Sequence, residues 1–113
     1  GKEYTVTQKG VNNVRKYLTE KGFIEEYENQ EMLKRLEDAL ANGQKITGAD
    51  AVYYTHELKE AQLVASGLEQ EAAHRATIEY YEVSPFSVYH PDVIKKEPGW
   101  WNDGWFNFWG IKR

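Results

Sequence analysis

The sequence predicts a mainly α-helical fold: a small four-helix domain with an extended His-Pro-Asp segment and an aromatic C-terminal tail packed on it. Three observations carry this. Apolar residues recur at 3-4 spacing in four stretches, which is the period of one helical face. Capping residues and glycines punctuate those stretches where helices begin and end. After Tyr81 the period stops, and prolines, β-prone residues and tryptophans take over.

Thr7 is placed to cap a first helix whose Val11, Val14 and Leu18 share a face, with Gly22 closing it. Asn29 is the expected cap of a second helix, with Met32, Leu33, Leu36, Ala39 and Leu40 inward and Asn42-Gly43 at its end. Its acidic neighbours Glu25, Glu26, Glu28, Glu31, Glu37 and Asp38 read as a solvated face. A third helix opens at Thr47, with Asp50 in the capping-box position, and closes at Gly67. Its core stripe is expected to be Ala51, Tyr54, Leu58, Ala61 and Ala65, while Tyr53, His56, Glu57, Glu60 and Val64 share a second, titratable side. The fourth helix, about Glu69 to Tyr81, places Gln70, Ala73, His74, Thr77, Ile78 and Tyr81 inward and Glu71, Arg75 and Glu79 outward.

Beyond it, residues 83–89 have β-prone side chains, and Pro85 limits them to an edge strand or extended loop. His90-Pro91-Asp92 forms a turn, because the residue before proline avoids the α region; Asp92 could cap a short helix through Val93 and Ile94. All four tryptophans lie in residues 100–109, where they either close the core or stay exposed as a partner surface.

At 113 residues the chain forms one domain. Its net charge of −4 argues against a free-standing nucleic-acid binder, but not against a nuclease with a local basic cleft. With no cysteine, thiolate nucleophiles, disulfides and Cys-type zinc sites are excluded. No apolar run reaches the roughly 18 residues that span a bilayer, and the polar start Gly1-Lys2-Glu3-Tyr4 is expected to be a cut inside a longer chain.

Acid–base chemistry near neutrality must begin with the three histidines. His56 has Glu57 beside it and Glu60 one turn on, which is either a tuned catalytic group or a surface ion-pair network. His74, on an inward face, is expected to hold the site together by bonding Tyr89 or a carbonyl of Ser84–Ser87. His90 projects from a constrained loop, as working residues often do. His56 and Glu60 at i, i+4 could bind an ion with His90 or Asp92, but the second histidine of the zinc-peptidase motif is absent, and no metal or other cofactor is expected. A phosphate-cradling glycine loop and a nucleophile elbow are also missing.

The run Lys45-Ile46-Thr47-Gly48-Ala49-Asp50, then Tyr53/Tyr54, His56-Glu57-Leu58 and Glu60-Ala61, resembles a block near the ends of polymorphic bacterial toxins. So do Ala73-His74, the stretch Glu82 to Ile94, and Trp105-Phe106-Asn107-Phe108-Trp109-Gly110. The resemblance covers about residues 29–110 and is to Rhs-type, wall-associated and contact-dependent inhibition proteins, including those of Bacillus-like Gram-positive bacteria. It implies a toxin domain at the C-terminus of a much larger secreted or cell-surface protein, acting in the target cell's cytoplasm. The activity it implies is an RNase, with tRNA a possible substrate, neutralised by a cognate immunity protein and sometimes needing a host factor. An immunity protein with a basic surface would suit the acidic second helix.

On that basis the expected mechanism is metal-independent. One of His56 and His90 takes the 2′-hydroxyl proton and the other protonates the leaving oxygen, with Glu57 and Asp92 completing the catalytic set. His74, Tyr53, Glu60, Tyr89 and Ser87 support it, and Arg75, Lys95 and Lys96 face the phosphate. The alternatives are a non-catalytic interaction domain with an aromatic partner-binding tail, and a metal-dependent nuclease.

Overall fold

The computed structural model describes residues 2–112. It is mainly helical, as expected, with helices α1 (Gln8–Glu20), α2 (Tyr27–Ala41), α3 (Gly48–Ala65), α4 (Gln70–Tyr81), α5 (Pro91–Lys96) and α6 (Asp103–Trp109). Two-residue strands β1 (Tyr4–Thr5) and β2 (Lys45–Ile46) pair antiparallel, Tyr4 opposite Ile46. This short ladder ties the segment before α1 to the one before α3. Two residues carry no periodic signal, so the pattern of apolar residues does not reveal it.

Helix α1 starts as its sequence dictates: the Thr7 hydroxyl accepts from the Gly10 amide at 3.0 Å. Val11, Val14 and Leu18 are buried, and Gly22 ends the helix at φ 81°. Helix α2 begins earlier than expected, with Glu26 at the cap position, so Asn29 is not a cap. The Asn29 side chain is instead buried, donating to the Phe23 carbonyl and accepting from the Tyr53 hydroxyl. A long-range partner for its amide outweighs the local cap. The acidic face also divides: Glu28 is buried rather than solvated.

Helix α3 departs most from expectation. Thr47 sits at its cap, but its side chain makes no capping bond, and Asp50 is engaged by Arg35 at 2.8 and 3.1 Å. An arginine fork on α2 thus replaces the capping box. Of the expected core stripe only Ala51 and Tyr54 are buried; Leu58 and Ala61 are half-buried and Ala65 is exposed. The side read as titratable surface is the buried one, with His56, Glu57 and Glu60 at 3%, 5% and 3% exposure. The reason is position. Helix α3 packs against α1, α2 and α4 and also meets the segment after α4, so its polar side faces protein instead of water.

Helix α4 ends at Glu82, in the left-handed region at φ 52°. Residues 85–87, expected to be extended, form a 3₁₀ turn in which Ser84 Oγ accepts from the Phe86 amide and Ser87 Oγ donates to the Ser84 carbonyl. Proline at the first position of such a turn loses no bond. Helix α5 buries Val93 and Ile94, and the aromatic tail folds as a second 3₁₀ turn (Pro98–Trp100) and α6. Trp101 and Phe106 are buried, and Trp105 and Trp109 pack against the core. Most of the aromatic cluster therefore closes the core. Among the described residues no helix is long and apolar enough to cross a membrane.

Candidate active site

A cavity of about 330 Å³ lies where the α1–α2 connection, the start of α2, α3, α4 and the tail meet, and Lys21, His56, Glu57, Glu60, His74 and Tyr89 are among the residues lining it. Helix α3 supplies its floor. Residues 56, 57 and 60 fall within slightly more than one turn, so three polar groups project from a single buried surface.

Glu60 is the hub. Its Oε1 accepts from the Tyr17 hydroxyl at 3.0 Å and faces Lys21 Nζ at 3.5 Å, while Oε2 lies 3.0 Å from His74 Nδ1. Burial acts to raise the Glu60 carboxyl, but the bonds from His74, Lys21 and Tyr17 outweigh it and hold it below the ordinary carboxylate value. Lys21 Nζ also stands 3.5 Å from Glu57 Oε2. Burial pushes Glu57 up to about 7, against the opposing charge of Lys21. The hydrogen bond to Glu60 raises His74 above its usual value, more than burial lowers it. A carboxyl near 7 and an imidazole that stays protonated to higher pH thus share one cavity, which is the arrangement acid–base catalysis needs at neutral pH.

His56 plays a different part. Burial lowers its pKa, and its ring is stacked on Tyr81 at 4.7 Å. Neither ring nitrogen makes a hydrogen bond of normal geometry. It forms part of the wall between this cavity and a second of about 310 Å³ lined by Lys2, Tyr4, Thr55 and Tyr81.

The expected site residues therefore divide. His56, Glu57, Glu60, His74 and Tyr89 line one cavity, and Tyr53 lies beneath it, bonded through Asn29. His90 and Asp92 are elsewhere. His90 caps α5, its Nδ1 accepting from the Asp92 amide at 3.0 Å, and its charged neighbours are Arg35, Asp50, Asp92 and Lys95. The expected pairing of His56 with His90 is not formed. His74 is not the buried staple expected: its side chain is 50% exposed, and it bonds Glu60 rather than Tyr89 or a carbonyl after α4.

Ser87 is spent on its own turn. Arg75 is exposed on the other side of α4, Lys95 pairs with Asp92, and Lys96 pairs with Glu31. None of the three lines the cavity, whereas Lys21 does. Sequence reasoning missed Lys21 and Tyr17, whose carboxylate partners lie 36 to 43 residues away. Only the packing of α1 on α3 brings them together. Comparison of the chain with protein-family models, with curated proteins and with solved structures gives no match.

Proposed function

We propose that this chain is a ribonuclease serving as the toxin domain of a larger secreted or cell-surface bacterial protein, with Glu57 and His74 as its acid–base pair. The observation that carries the reading is their meeting in one cavity with Lys21, one raised to about 7 by burial and the other raised above its usual value by Glu60. Two further points support RNA as the substrate. The cavity lining contains no serine, threonine or cysteine, and RNA brings its own nucleophile in the 2′-hydroxyl. The toxin resemblance covers the same α3, α4 and tail segments that build the cavity.

In this mechanism the Glu57 carboxylate takes the 2′-hydroxyl proton as the 2′-oxygen attacks phosphorus. His74, oriented through Nδ1 by Glu60, gives a proton to the departing 5′-oxygen, and the products are a 2′,3′-cyclic phosphate and a free 5′-hydroxyl. Lys21 offsets charge on the non-bridging oxygens. His56 walls the cavity, and His90 is a cap with no chemical role. A cognate immunity protein would act by covering the mouth, where His74 is reached.

The test is cleavage of total RNA by the purified chain and in bacteria expressing it. Glu57→Gln and His74→Ala should each lower the rate by roughly 10²–10⁴-fold, while His90→Ala retains it. Undiminished RNA cleavage in both cavity variants would sink the assignment. Intact RNA with the wild-type chain still toxic would sink the ribonuclease itself.

A further inference from the structure

The acid–base cluster occupies only part of the cavity. Another part of its lining comes from the approach to α2, with Phe23, Glu26 and Asn29, and from the tail, with Tyr89 and Trp105. Asn29 ties these together, donating to the Phe23 carbonyl at 2.9 Å and accepting from the Tyr89 hydroxyl at 3.4 Å. The Tyr89 and Trp105 rings are 5.5 Å apart.

Glu26 lies beside buried Glu28. Burial, together with the neighbouring Glu26 carboxyl, pushes Glu28 up to about 7. One oxygen of buried Glu28 meets no conventional donor. Glu26 brings a carboxyl group to a cavity with aromatic walls.

We propose that this part of the cavity is a nucleobase subsite selective for guanine, an inference that rests on the ribonuclease reading above. Every base has a face that stacks on aromatic rings, so the walls confer affinity without choice. The choice comes from Glu26. An ionised carboxylate offers two acceptor oxygens and no donor. Guanine alone among the four RNA bases carries two adjacent N–H donors on its pairing edge, at N1 and at the 2-amino group. Adenine and cytosine set an amino donor beside an acceptor nitrogen, and the single N–H of uracil lies between two carbonyls. Those bases would turn an acceptor toward the carboxylate in a confined space, which costs affinity.

The experiment titrates the full chain with the 3′-monophosphates of guanosine, inosine, adenosine and uridine, and maps cleavage sites on a defined RNA. Guanosine should bind roughly 10- to 100-fold tighter than adenosine or uridine, with cleavage after guanine. Inosine, lacking the 2-amino donor, should bind roughly tenfold more weakly than guanosine. Glu26→Gln supplies one acceptor and one donor, so preference should move from guanine toward adenine. An unchanged melting temperature checks that the variant folds. RNA cleaved without base preference, or a folded Glu26→Gln that keeps the guanine preference, overturns the subsite and leaves the nuclease standing. Inosine bound as tightly as guanosine by the wild-type chain overturns it without any variant. Absence of both cleavage and nucleotide binding removes the nuclease reading and the subsite with it.

Discussion

Glu57 shows what burial does to a single carboxyl and how that becomes measurable. With its pKa raised from 4.5 to about 7, the folded chain holds a proton there that the unfolded chain has released. Stability from this group is complete below the unfolded value and is lost as pH rises through about 7. Glu28, also raised to about 7, acts in the same direction, and so does His74, whose raised value favours the folded state on the acid side. Glu60 opposes them, its lowered value stabilising the fold above the ordinary carboxylate range, and so do His56 and His90, whose lowered values cost stability as pH falls through the ordinary imidazole value. Above the ordinary imidazole value the raised groups dominate, so the melting temperature should fall between about pH 6.5 and 8.5. Replacing both Glu28 and Glu57 by glutamine should flatten that fall and raise Tm at pH 8.5 by roughly 5–10 °C. A wild-type Tm that rises over this interval would contradict the burial of these carboxyls. The activity profile has a different origin: it climbs as Glu57 ionises near 7 and declines above the raised value of His74, giving a bell with its acid limb near neutrality.

At the scale of the element, caps and close approaches decide which helices stand where they do. Thr7, Gly22 and Asn42-Gly43 were legible because each acts on its own neighbours in the chain. Asn29 and Asp50 misled for the opposite reason: both have local capping chemistry, but Tyr53 and Arg35 claim them from other helices. His90 carries both messages, a constrained position before proline that looks functional and a ring nitrogen that caps α5. His90→Ala should cost about 1 kcal/mol, read as a drop in urea midpoint with unchanged RNA cleavage; lost cleavage in a folded variant would return it to the site. Gly10 is a sharper case. A Cβ there would lie 1.7 Å from the Tyr54 hydroxyl, which accepts from the Thr7 amide. Gly10→Ala gains helix propensity yet must push Tyr54 aside, so it should lower stability by roughly 1–3 kcal/mol; a more stable variant would show that Tyr54 yields freely.

Over the whole molecule, periodicity revealed that the chain is helical and failed to say which side of α3 faces inward. Helical spacing marks an apolar stripe, but α3 is surrounded on several sides, and its polar face is buried because Lys21, Tyr17 and His74 arrive to pair with it. The same long-range assembly explains why the cavity was half legible: His56, Glu57, Glu60 and His74 were visible as residue types, and their partner Lys21 was not. The tail completes the assembly. Trp101 donates to the Tyr27 hydroxyl, which itself donates to the Val93 carbonyl at 3.0 Å, and Trp109 donates to the Phe86 carbonyl at 3.0 Å. These bonds link α2, α5, α6 and the 3₁₀ turn at residues 85–87, and Trp105 is part of the cavity wall. Ending the chain after Glu97 would remove that wall and uncover Tyr27 and Tyr89 together, so it should abolish the site along with much of the core. The expected outcome is loss of near-ultraviolet circular dichroism and of cooperative unfolding, with helical signal partly retained in α1 to α4. A truncated chain that melts as sharply as the full one would show that the aromatic tail is an appendage, and would move Trp105 out of the proposed subsite.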